Sequence, residues 1–352
     1  MNNSSAEVPV TGHMEQRKVS IRDVARVAGV SHQTVSRVIN GNPRVTGDTR
    51  ERVNRAIAEL GFRPSRVATA LASGQVKAVT VLVSDTSLYG YGAALQGIEA
   101  AAREAGYSVG VCALASVAPE MLAATVARAG DPSAGALLVI AWDQVGIQAL
   151  HAVPPGGAVV ALAEASAAPL DPRCPMIRLD DGAAAAHATR YLLELGHRTV
   201  HHVAIPSSSG RGDRIHGWRQ ALADAGVAAP EPVQAAWTPR SGYEAGRALA
   251  ADTDVTAVLC GNDDLALGVM RALHEAGRRV PGDVSVVGFD DVPQAAYYTP
   301  ALTTVHQDFA GLGRDGFALL HGVLVPAAPR RPLTARKPEL IVRESSGPPK
   351  RP

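Results

Sequence analysis

The sequence lacks the patterns that would indicate a disulfide framework, a metal site or a membrane span. Its three cysteines lie far apart and form no CxxC pair, which argues against both disulfides and zinc. No stretch reaches the roughly 18 uninterrupted apolar residues that a membrane span needs. The polar first residues also lack the apolar middle of a signal peptide. We therefore expect a cytoplasmic protein that uses no metal and no cofactor.

Signatures of common enzymes are missing as well. The sequence contains no HExxH or P-loop motif, so no zinc protease or nucleotide-phosphate cradle is indicated. Only 4% of the residues are aromatic, but 46% of the 352 residues are apolar, which is enough to bury a sizeable core. This length favours two domains over one. We expect a non-enzymatic binding protein without catalytic residues.

Positive charge is unevenly distributed, although the formal net charge is only +1. Residues 17–66 contain eleven Lys or Arg and four Asp or Glu, so the remainder of the chain is net negative. Neutralisation of phosphates with release of counterions supplies most non-specific affinity for nucleic acids. The basic segment therefore favours a polyanionic partner. A basic domain that is merely solvated is the alternative.

Three short helices are predicted in this basic segment. Ser20 can N-cap the first helix, and Gly29 suits its left-handed end. Ser31 can cap a second helix that ends at the run NGNP, and a third helix extends from about Thr46 to Leu60. Two short helices around a tight glycine turn, followed by a third, predict a helix-turn-helix domain.

The second predicted helix, SHQTVSRVIN at 31–40, has an apolar face and a polar face. Helical spacing turns five polar side chains outward: His32, Gln33, Ser36, Arg37 and Asn40. Arg can fork onto guanine, Gln can pair with adenine, and His can donate or accept a hydrogen bond. The second helix of a helix-turn-helix is the one that enters the major groove. An ordinary polar surface helix is the alternative reading.

The pattern changes to an α/β rhythm from Ala78 onward. Strand-like runs such as AVTVLV, GALLVI and DVSVVGF alternate with helical stretches, which predicts parallel sheets with helices on both faces. About ten strands exceed what one sheet usually holds, so two adjacent lobes are expected. The predicted organisation is a disordered leader at 1–17, the helix-turn-helix domain at 18–62, a hinge at 63–76, a two-lobed core at 77–346 and a disordered tail at 347–352.

The segment VSIRDVARVAGVSHQTVSRVINGNPRVTGDTRERVNRAIAELGFRPSRVATALASG resembles the DNA-binding headpiece and hinge of the lactose-repressor/galactose-repressor (LacI/GalR) family of bacterial transcription regulators. The resemblance implies that His32, Gln33 and Arg37 read bases. It also implies that the phosphate backbone of the DNA is contacted or oriented by Ser31, Thr34, Ser36, Asn40 and Thr46. In the hinge it implies DNA contacts by Arg66, Ala68 and Leu71, with Leu71 as an apolar wedge in the minor groove; a flexible linker is the alternative there.

The remaining chain resembles the sugar-binding-protein-like effector core of the same family through CGNDDLALGVMRAL, PGDVSVVGFDD and PALTTVHQDF. In such folds the ligand lies between the lobes, at the carboxyl ends of the strands. The resemblance implies hydroxyl-binding groups and an apolar wall, formed by Leu88, Tyr91, Ala94, Asp143, Arg214, Trp237, Asn262, Asp290, Gln307 and Phe309. An Asp or Asn that follows a strand can instead be a helix N-cap.

The stretches WTPRSGYEAG and HQDF are most similar to the lactose-repressor branch, rather than to purine- or ribose-responsive branches. The resemblance implies a repressor that a small saccharide, such as a galactoside, releases from a near-palindromic operator in double-stranded DNA. A corepressor-dependent regulator that responds to another small molecule is the alternative. No leucine-heptad tail follows the core, so a homodimer is expected.

Overall fold

The computed structural model describes residues 19–39, 42–63, 76–114, 118–164, 174–206, 214–325 and 338–350. Contacts between residues divide the chain into two units, at 1–75 and 76–352. Within the described ranges, no helix is both long enough and apolar enough to cross a membrane. Each unit is described separately below.

The first unit contains three helices in the described ranges: α1 (Ile21–Ala28), α2 (His32–Ile39) and α3 (Gly47–Leu60). The backbone N–H of Ser20 donates to Asp23 Oδ2 at 2.9 Å, which fixes the start of α1. Gly29 ends α1 with a φ of 65°, a left-handed conformation that a side chain would disfavour. Ser20 and Gly29, which predicted the two ends of α1, therefore delimit this helix.

A small apolar core holds the three helices together. It is made of Val24, Ala25, Ala28, Val35, Val38, Val53 and Ala56. Each helix contributes positions that are three or four residues apart, so a single stripe on each helix faces the others. The opposite face of α2 remains in contact with solvent.

The second unit contains two sheets, and the first has five parallel strands in the described ranges. These are β1 (Ala78–Val83), β2 (Ser108–Ala113), β3 (Ala136–Ala141), β4 (Val159–Glu164) and β5 (Met176–Leu179), in the spatial order β2-β1-β3-β4-β5. The helices that connect them are α4 (Tyr89–Glu104), α5 (Pro119–Ala129) and α6 (Gln144–His151), with a short 3-10 turn at Pro132–Ala134. β3 is buried along its whole length, as expected for a strand covered on both faces.

The second sheet has six strands in the described part of the chain. They are β6 (His201–Ala204), β7 (Val233–Gln234), β8 (Ala257–Cys260), β9 (Ser285–Asp290), β10 (Thr303–His306) and β11 (Glu339–Ile341), in the order β11-β10-β9-β8-β6-β7. All neighbours are parallel except β10 and β11. Its helices are α7 (Asp181–Glu194), α8 (Arg214–Asp224), α9 (Pro239–Ala250) and α10 (Asp263–Glu275), with a 3-10 turn at Pro293–Tyr297.

The last helix in the described ranges, α11 (Phe309–Leu324), follows β10 of the second sheet in sequence but packs on the first lobe. Its buried Phe309, Phe317 and Leu320 belong to the same apolar cluster as β1 and β3. Gly97 of α4 has no room for a Cβ, because the backbone of Ala310 lies against it. The two helices therefore pack with their backbones in close approach. The fold class predicted from the sequence, a helix-turn-helix domain with a two-lobed α/β core, is confirmed.

Candidate functional site: a reading helix and an interlobe cleft

On the exposed face of α2, three side chains have no partner among the residues that the structure describes. His32, Gln33 and Arg37 are exposed, whereas Val35 and Val38 on the same helix are buried. Among the described residues, none forms a hydrogen bond or ion pair with those three side chains. The base-contacting groups implied by the family resemblance are therefore free to contact an external partner. We refer to His32, Gln33 and Arg37 as the reading surface.

Ser31 and Thr34, which the resemblance implies contact the DNA phosphate backbone, stabilise the start of α2. Ser31 Oγ accepts a hydrogen bond from the Thr34 N–H at 3.1 Å, which makes Ser31 the helix cap. The Thr34 hydroxyl lies 2.9 Å from the same oxygen. Ser36, on the same helix, is half-buried. The cap sits at the end of the helix that would enter a groove first.

Thr46 lies at the start of α3, and its hydroxyl donates to Thr49 Oγ1 at 2.9 Å. A polar groove lies between the two helices and is lined by Thr34, Arg37, Asn42, Arg44, Val45, Thr46 and Thr49. Two guanidinium groups beside a helix N-terminus suit a phosphate. Asn40, Arg66, Ala68 and Leu71 lie outside the described residues.

A cleft opens between the two lobes of the second unit, at the carboxyl ends of strands from both sheets. It is lined by Leu88, Tyr89, Gly90, Tyr91, Trp142, Glu164, Leu179, Asp181, Arg214, Trp237, Asn262, Asp263, Asp264, Asp290, Val292 and Phe309. Its charged side chains are five carboxylates and one guanidinium. The space between these residues is about 570 Å³, part of it open to solvent.

Arg214, at the start of α8, is the centre of the polar wall. Its Nε donates to Asp181 Oδ2 at 3.0 Å, and Nη2 donates to Asp290 Oδ1 at 3.3 Å. Nη1 donates to the carbonyl of Gly261, and the guanidinium lies 3.8 Å from the centroid of the Phe289 ring. Burial opposes the charged form, but Asp181 and Asp290 outweigh it and raise the pKa of Arg214. Arg214 is thus a fixed cation in the cleft.

The end of β9 is held in an unusual backbone conformation. Asp290 and Asp291 have φ angles of 106° and 56°, in the left-handed region that non-glycine residues rarely adopt. Arg343 holds Asp291 through an Nη2–Oδ1 contact of 2.7 Å. Burial raises the pKa of Asp290 well above its usual value, although Arg214 acts in the opposite direction.

Asp263 is a fully buried carboxyl on the cleft wall. Its Oδ1 accepts a hydrogen bond from the Thr304 hydroxyl at 2.5 Å, and its Oδ2 accepts one from the Val292 N–H at 2.8 Å. Burial raises its pKa to about 7, against these two hydrogen bonds, and nearby Asp291 adds to the increase. The group therefore titrates near neutrality and ties β10 to the segment after β9.

Asn262 and Asp143, both implied hydroxyl binders, are helix caps in the structure. Asn262 Oδ1 accepts a hydrogen bond from the Leu265 N–H at 2.8 Å, and its Nδ2 donates to the Trp237 carbonyl at 3.2 Å. Asn262 nevertheless lines the cleft. Asp143 caps α6 by accepting from the Gly146 N–H at 2.7 Å. Its other oxygen binds Ser84 and Tyr91, and Asp143 does not line the cleft. The N-cap alternative describes Asp143 better.

The first lobe contributes an aromatic wall. The Tyr91 ring lies 5.0 Å from that of Trp142, and Trp142 lies 5.3 Å from Phe309, measured between centroids. Tyr89 meets Phe309 edge-on at 6.1 Å. The Tyr91 hydroxyl donates to Asp143 Oδ2 at 2.9 Å. Tyr91 is therefore held by this hydrogen bond at its hydroxyl and by the contact of its ring with Trp142. This wall can pack against the apolar face of a ring-shaped ligand.

Of the ten implied effector residues, seven line the cleft: Leu88, Tyr91, Arg214, Trp237, Asn262, Asp290 and Phe309. Ala94 does not, because it is fully buried in the core where α4 packs on α11. Gln307 does not line it either; it is buried, and its Nε2 donates to Asp181 Oδ1 at 2.8 Å. Gln307 therefore positions Asp181, which in turn holds Arg214.

Sequence reasoning missed several residues of the cleft wall: Tyr89, Trp142, Glu164, Asp181, Asp263 and Asp264. Most of them lie at or just after the carboxyl end of a strand or open the following helix, and this signal could have found them. Trp142 and Asp263 are the direct neighbours of residues that were selected.

Two family models match the chain. Residues 20–65 match bacterial regulatory proteins of the lacI family, and residues 189–346 match the periplasmic binding protein-like domain. The HTH-type transcriptional repressor PurR of Klebsiella pneumoniae (strain 342) is 32% identical over 345 residues, which cover 93% of this chain and 96% of that protein. PurR of Erwinia tasmaniensis is 34% identical over 323 residues, which cover 86% and 89%.

Solved structures give the same result. The lac repressor dimer bound to operator and the anti-inducer ONPF has a TM-score of 0.82 at 31% identity, and the match covers 94% of this chain and 100% of that one. The complex of the transcriptional regulator CelR with cellobiose has a TM-score of 0.64 at 30% identity, with the same coverage.

A helix-turn-helix unit joined to a two-lobed ligand-binding core defines a ligand-responsive regulator of transcription. The chain belongs to the LacI family of bacterial regulatory proteins. It is a DNA-binding transcriptional repressor and not an enzyme, so both predictions are confirmed. Identities of 31 to 34% to PurR and to the lac repressor do not separate branches within the family.

Proposed function

We propose that the chain represses transcription as a homodimer on a near-palindromic operator, and that a small neutral saccharide bound in the interlobe cleft releases it. The observation that carries the effector part is the pairing of a polar wall with an aromatic wall. Arg214, Asp290 and Asn262 offer planar groups for vicinal hydroxyls, while Trp237 and Phe309 offer faces for the apolar side of a sugar ring.

The charge of the cleft supports a neutral ligand. The lining has five acidic side chains and one guanidinium, and Arg214 is already bound to Asp181 and Asp290, so the described lining offers no free cation to an anionic effector such as a sugar phosphate. Two similar proteins were solved with saccharide ligands, namely CelR with cellobiose and the lac repressor with ONPG. These ligands belong to those proteins, and they support the same ligand class for this cleft.

The DNA part of the proposal rests on the reading surface. His32, Gln33 and Arg37 would contact bases, and Arg44 and Thr46 in the adjoining groove would hold a backbone phosphate. One headpiece reads a half-site, so two copies would be needed for a palindrome. The lac repressor solved on its operator is a dimer.

Exposed apolar side chains on both lobes support a second copy as the partner. Leu267 and Tyr297 on the second lobe are 38% and 86% exposed, and Val111 and Met121 on the first lobe are 52% and 63% exposed. Sedimentation of the full chain should therefore give twice the monomer mass, and a monomer at micromolar concentration would contradict the proposal.

One titration tests the function as a whole. Duplexes bound by the full chain are first selected from a random pool, and the affinity is then measured at fixed salt with and without galactosides, glucosides or purines. Release by a saccharide supports induction, and tightening by any ligand supports the corepressor alternative. Failure to bind any duplex at low salt would remove the regulatory proposal.

A purine effector is the second candidate. The aromatic wall can stack on a planar heterocycle as well as on a sugar, and the curated relatives at 32 and 34% identity are repressors named PurR. The same titration separates the two, because release or tightening by a purine alone would exclude the saccharide.

A further inference from the structure

Trp142 carries a buried hydrogen-bond donor without an acceptor. The residue follows β3, lines the cleft and is only 6% exposed. Its indole Nε1 is buried and has no hydrogen-bond partner within the described residues. A buried donor that has lost its water partners costs free energy until an acceptor replaces them. An occupant of the cleft can supply that acceptor.

Trp218 provides an internal comparison. It is also buried, but its indole Nε1 donates to the Val200 carbonyl at 2.9 Å. The second lobe thus satisfies its buried indole within the protein, whereas the first lobe leaves its buried indole unsatisfied at a ligand cleft. The difference is the expected one between a structural tryptophan and a ligand-binding tryptophan.

The surroundings of Trp142 restrict what can approach it. The rings of Tyr91 and Phe309 lie 5.0 and 5.3 Å away between centroids. The Tyr91 hydroxyl is bound to both Ser84 and Asp143, so this ring is held in place. Aromatic rings therefore flank the indole, and a ring-shaped ligand can pack against them.

We propose that Trp142 forms a subsite at the first-lobe side of the cleft and donates its indole N–H to an uncharged oxygen of the effector. An indole N–H donates and cannot accept, so a hydroxyl, ether or carbonyl oxygen fits and an ammonium group does not. This inference rests on the proposed function, because it concerns the same cleft. It adds a specificity-determining residue that the family resemblance did not supply.

The first test is calorimetric titration of the full-length protein with methyl β-D-galactopyranoside, D-glucose and hypoxanthine. For whichever probe binds, Trp142→Phe should weaken binding about fivefold, because it keeps an aromatic ring at the site but removes the N–H donor with the pyrrole part of the indole. The matched control is Trp218→Phe, the same change outside the cleft, which removes an indole N–H already bound to the Val200 carbonyl. It should change affinity less than twofold.

The second test reads the indole proton directly. In ¹⁵N-labelled protein, the Trp142 indole resonance, assigned by its loss in Trp142→Phe, should shift when the bound probe is added. The Trp218 resonance should stay in place. If Trp142→Phe does not fold, the indole resonance can be assigned in the wild-type protein by standard NMR experiments, and the shift can still be measured.

The outcomes separate the two proposals. If the wild-type protein binds a probe but its Trp142 indole resonance does not move and Trp142→Phe keeps full affinity, the subsite is wrong and the effector proposal stands. If the wild-type protein binds none of the probes, the proposed effector classes fail and the subsite fails with them.

Discussion

The reading surface and the interlobe cleft use polar side chains in opposite ways. His32, Gln33 and Arg37 stand in solvent without partners among the described residues, so they retain their full capacity for external hydrogen bonds. In the cleft, Arg214 is buried and bound to carboxylates. The first region depends on free donors and acceptors, and the second depends on groups whose positions are fixed in advance.

This difference predicts which substitutions will reduce the free energy of unfolding. Removing an exposed and unpaired side chain takes away an external contact and little else. Removing a buried member of a network leaves its partners desolvated and unpaired, which affects stability before it affects binding. Variants in the two regions should therefore separate by their effect on unfolding.

The largest effect is expected for Arg214→Met. The change removes the cation between Asp181 and Asp290 and should reduce the free energy of unfolding by about 3–5 kcal/mol. Urea unfolding followed by circular dichroism measures it. The control is Arg219→Met, an exposed arginine on the same helix. Equal stability of the two variants would mean that the ion pairs of Arg214 with Asp181 and Asp290 do not contribute to the stability of the core.

Asp263→Asn should give the next largest effect, visible as a change in pH dependence. Because burial raises the pKa of Asp263 to about 7, the folded state holds a proton that the unfolded state releases near pH 4. Its contribution to stability is complete below that pH and is lost as the pH rises to about 7. The Asn variant should lack this loss, which is on the order of 3 kcal/mol.

The measurement for Asp263 is urea unfolding at several values from pH 5 to pH 8. Asp224→Asn, at an exposed carboxyl on α8, is the control and should keep the slope of the wild-type protein. A slope that persists in the Asp263 variant would show that another group takes up the proton.

Arg37→Ala should weaken binding to the selected operator by about 2 kcal/mol and leave the unfolding of the core unchanged. The reason is that an exposed arginine without an internal partner acts only on its external contact. Fluorescence anisotropy on operator and scrambled duplexes measures it. Arg52→Ala is the control, since Arg52 pairs with Asp48 on α3 at 3.7 Å. A loss of stability in Arg37→Ala would contradict the contrast between the reading surface and the interlobe cleft.

Thr46→Ala should have the smallest effect, about 0.5–1 kcal/mol in duplex affinity. The proposed partner of Thr46 is a phosphate, so the loss should be the same for operator and scrambled duplexes. Its hydroxyl now bonds only to Thr49 in the described structure, and stability should change little. A loss confined to the operator would assign Thr46 a base contact instead.

The reading surface could be predicted because it is a local property. Once Ser31 and the apolar spacing define α2, the outward positions follow from helix geometry alone. The cleft was predicted less completely. Its strand ends were recognisable, but whether Asp143 faces a ligand or caps a helix depends on Ser84 and Tyr91, which lie more than 50 residues away.

The same limit explains the missed residues. Asp263 is buried and bound to Thr304 of β10 and to Val292 in the segment after β9, and a local sequence pattern does not show that these residues lie next to it. Ala94 was expected at the ligand, but the close packing of α4 on α11 buries it. Local patterns show which residue types are available, and the tertiary contacts decide which of them reach the cleft.

The position of α11 has a consequence for the order of events during synthesis. Phe309, Phe317 and Leu320 complete the apolar core of the first lobe, yet the ribosome adds them only after nearly all of the second lobe. An emerging chain thus cannot finish its first lobe until most of the second lobe has left the exit tunnel. The two halves of the core must mature together, and arrested translation products would expose an unfinished hydrophobic surface to chaperones and proteases.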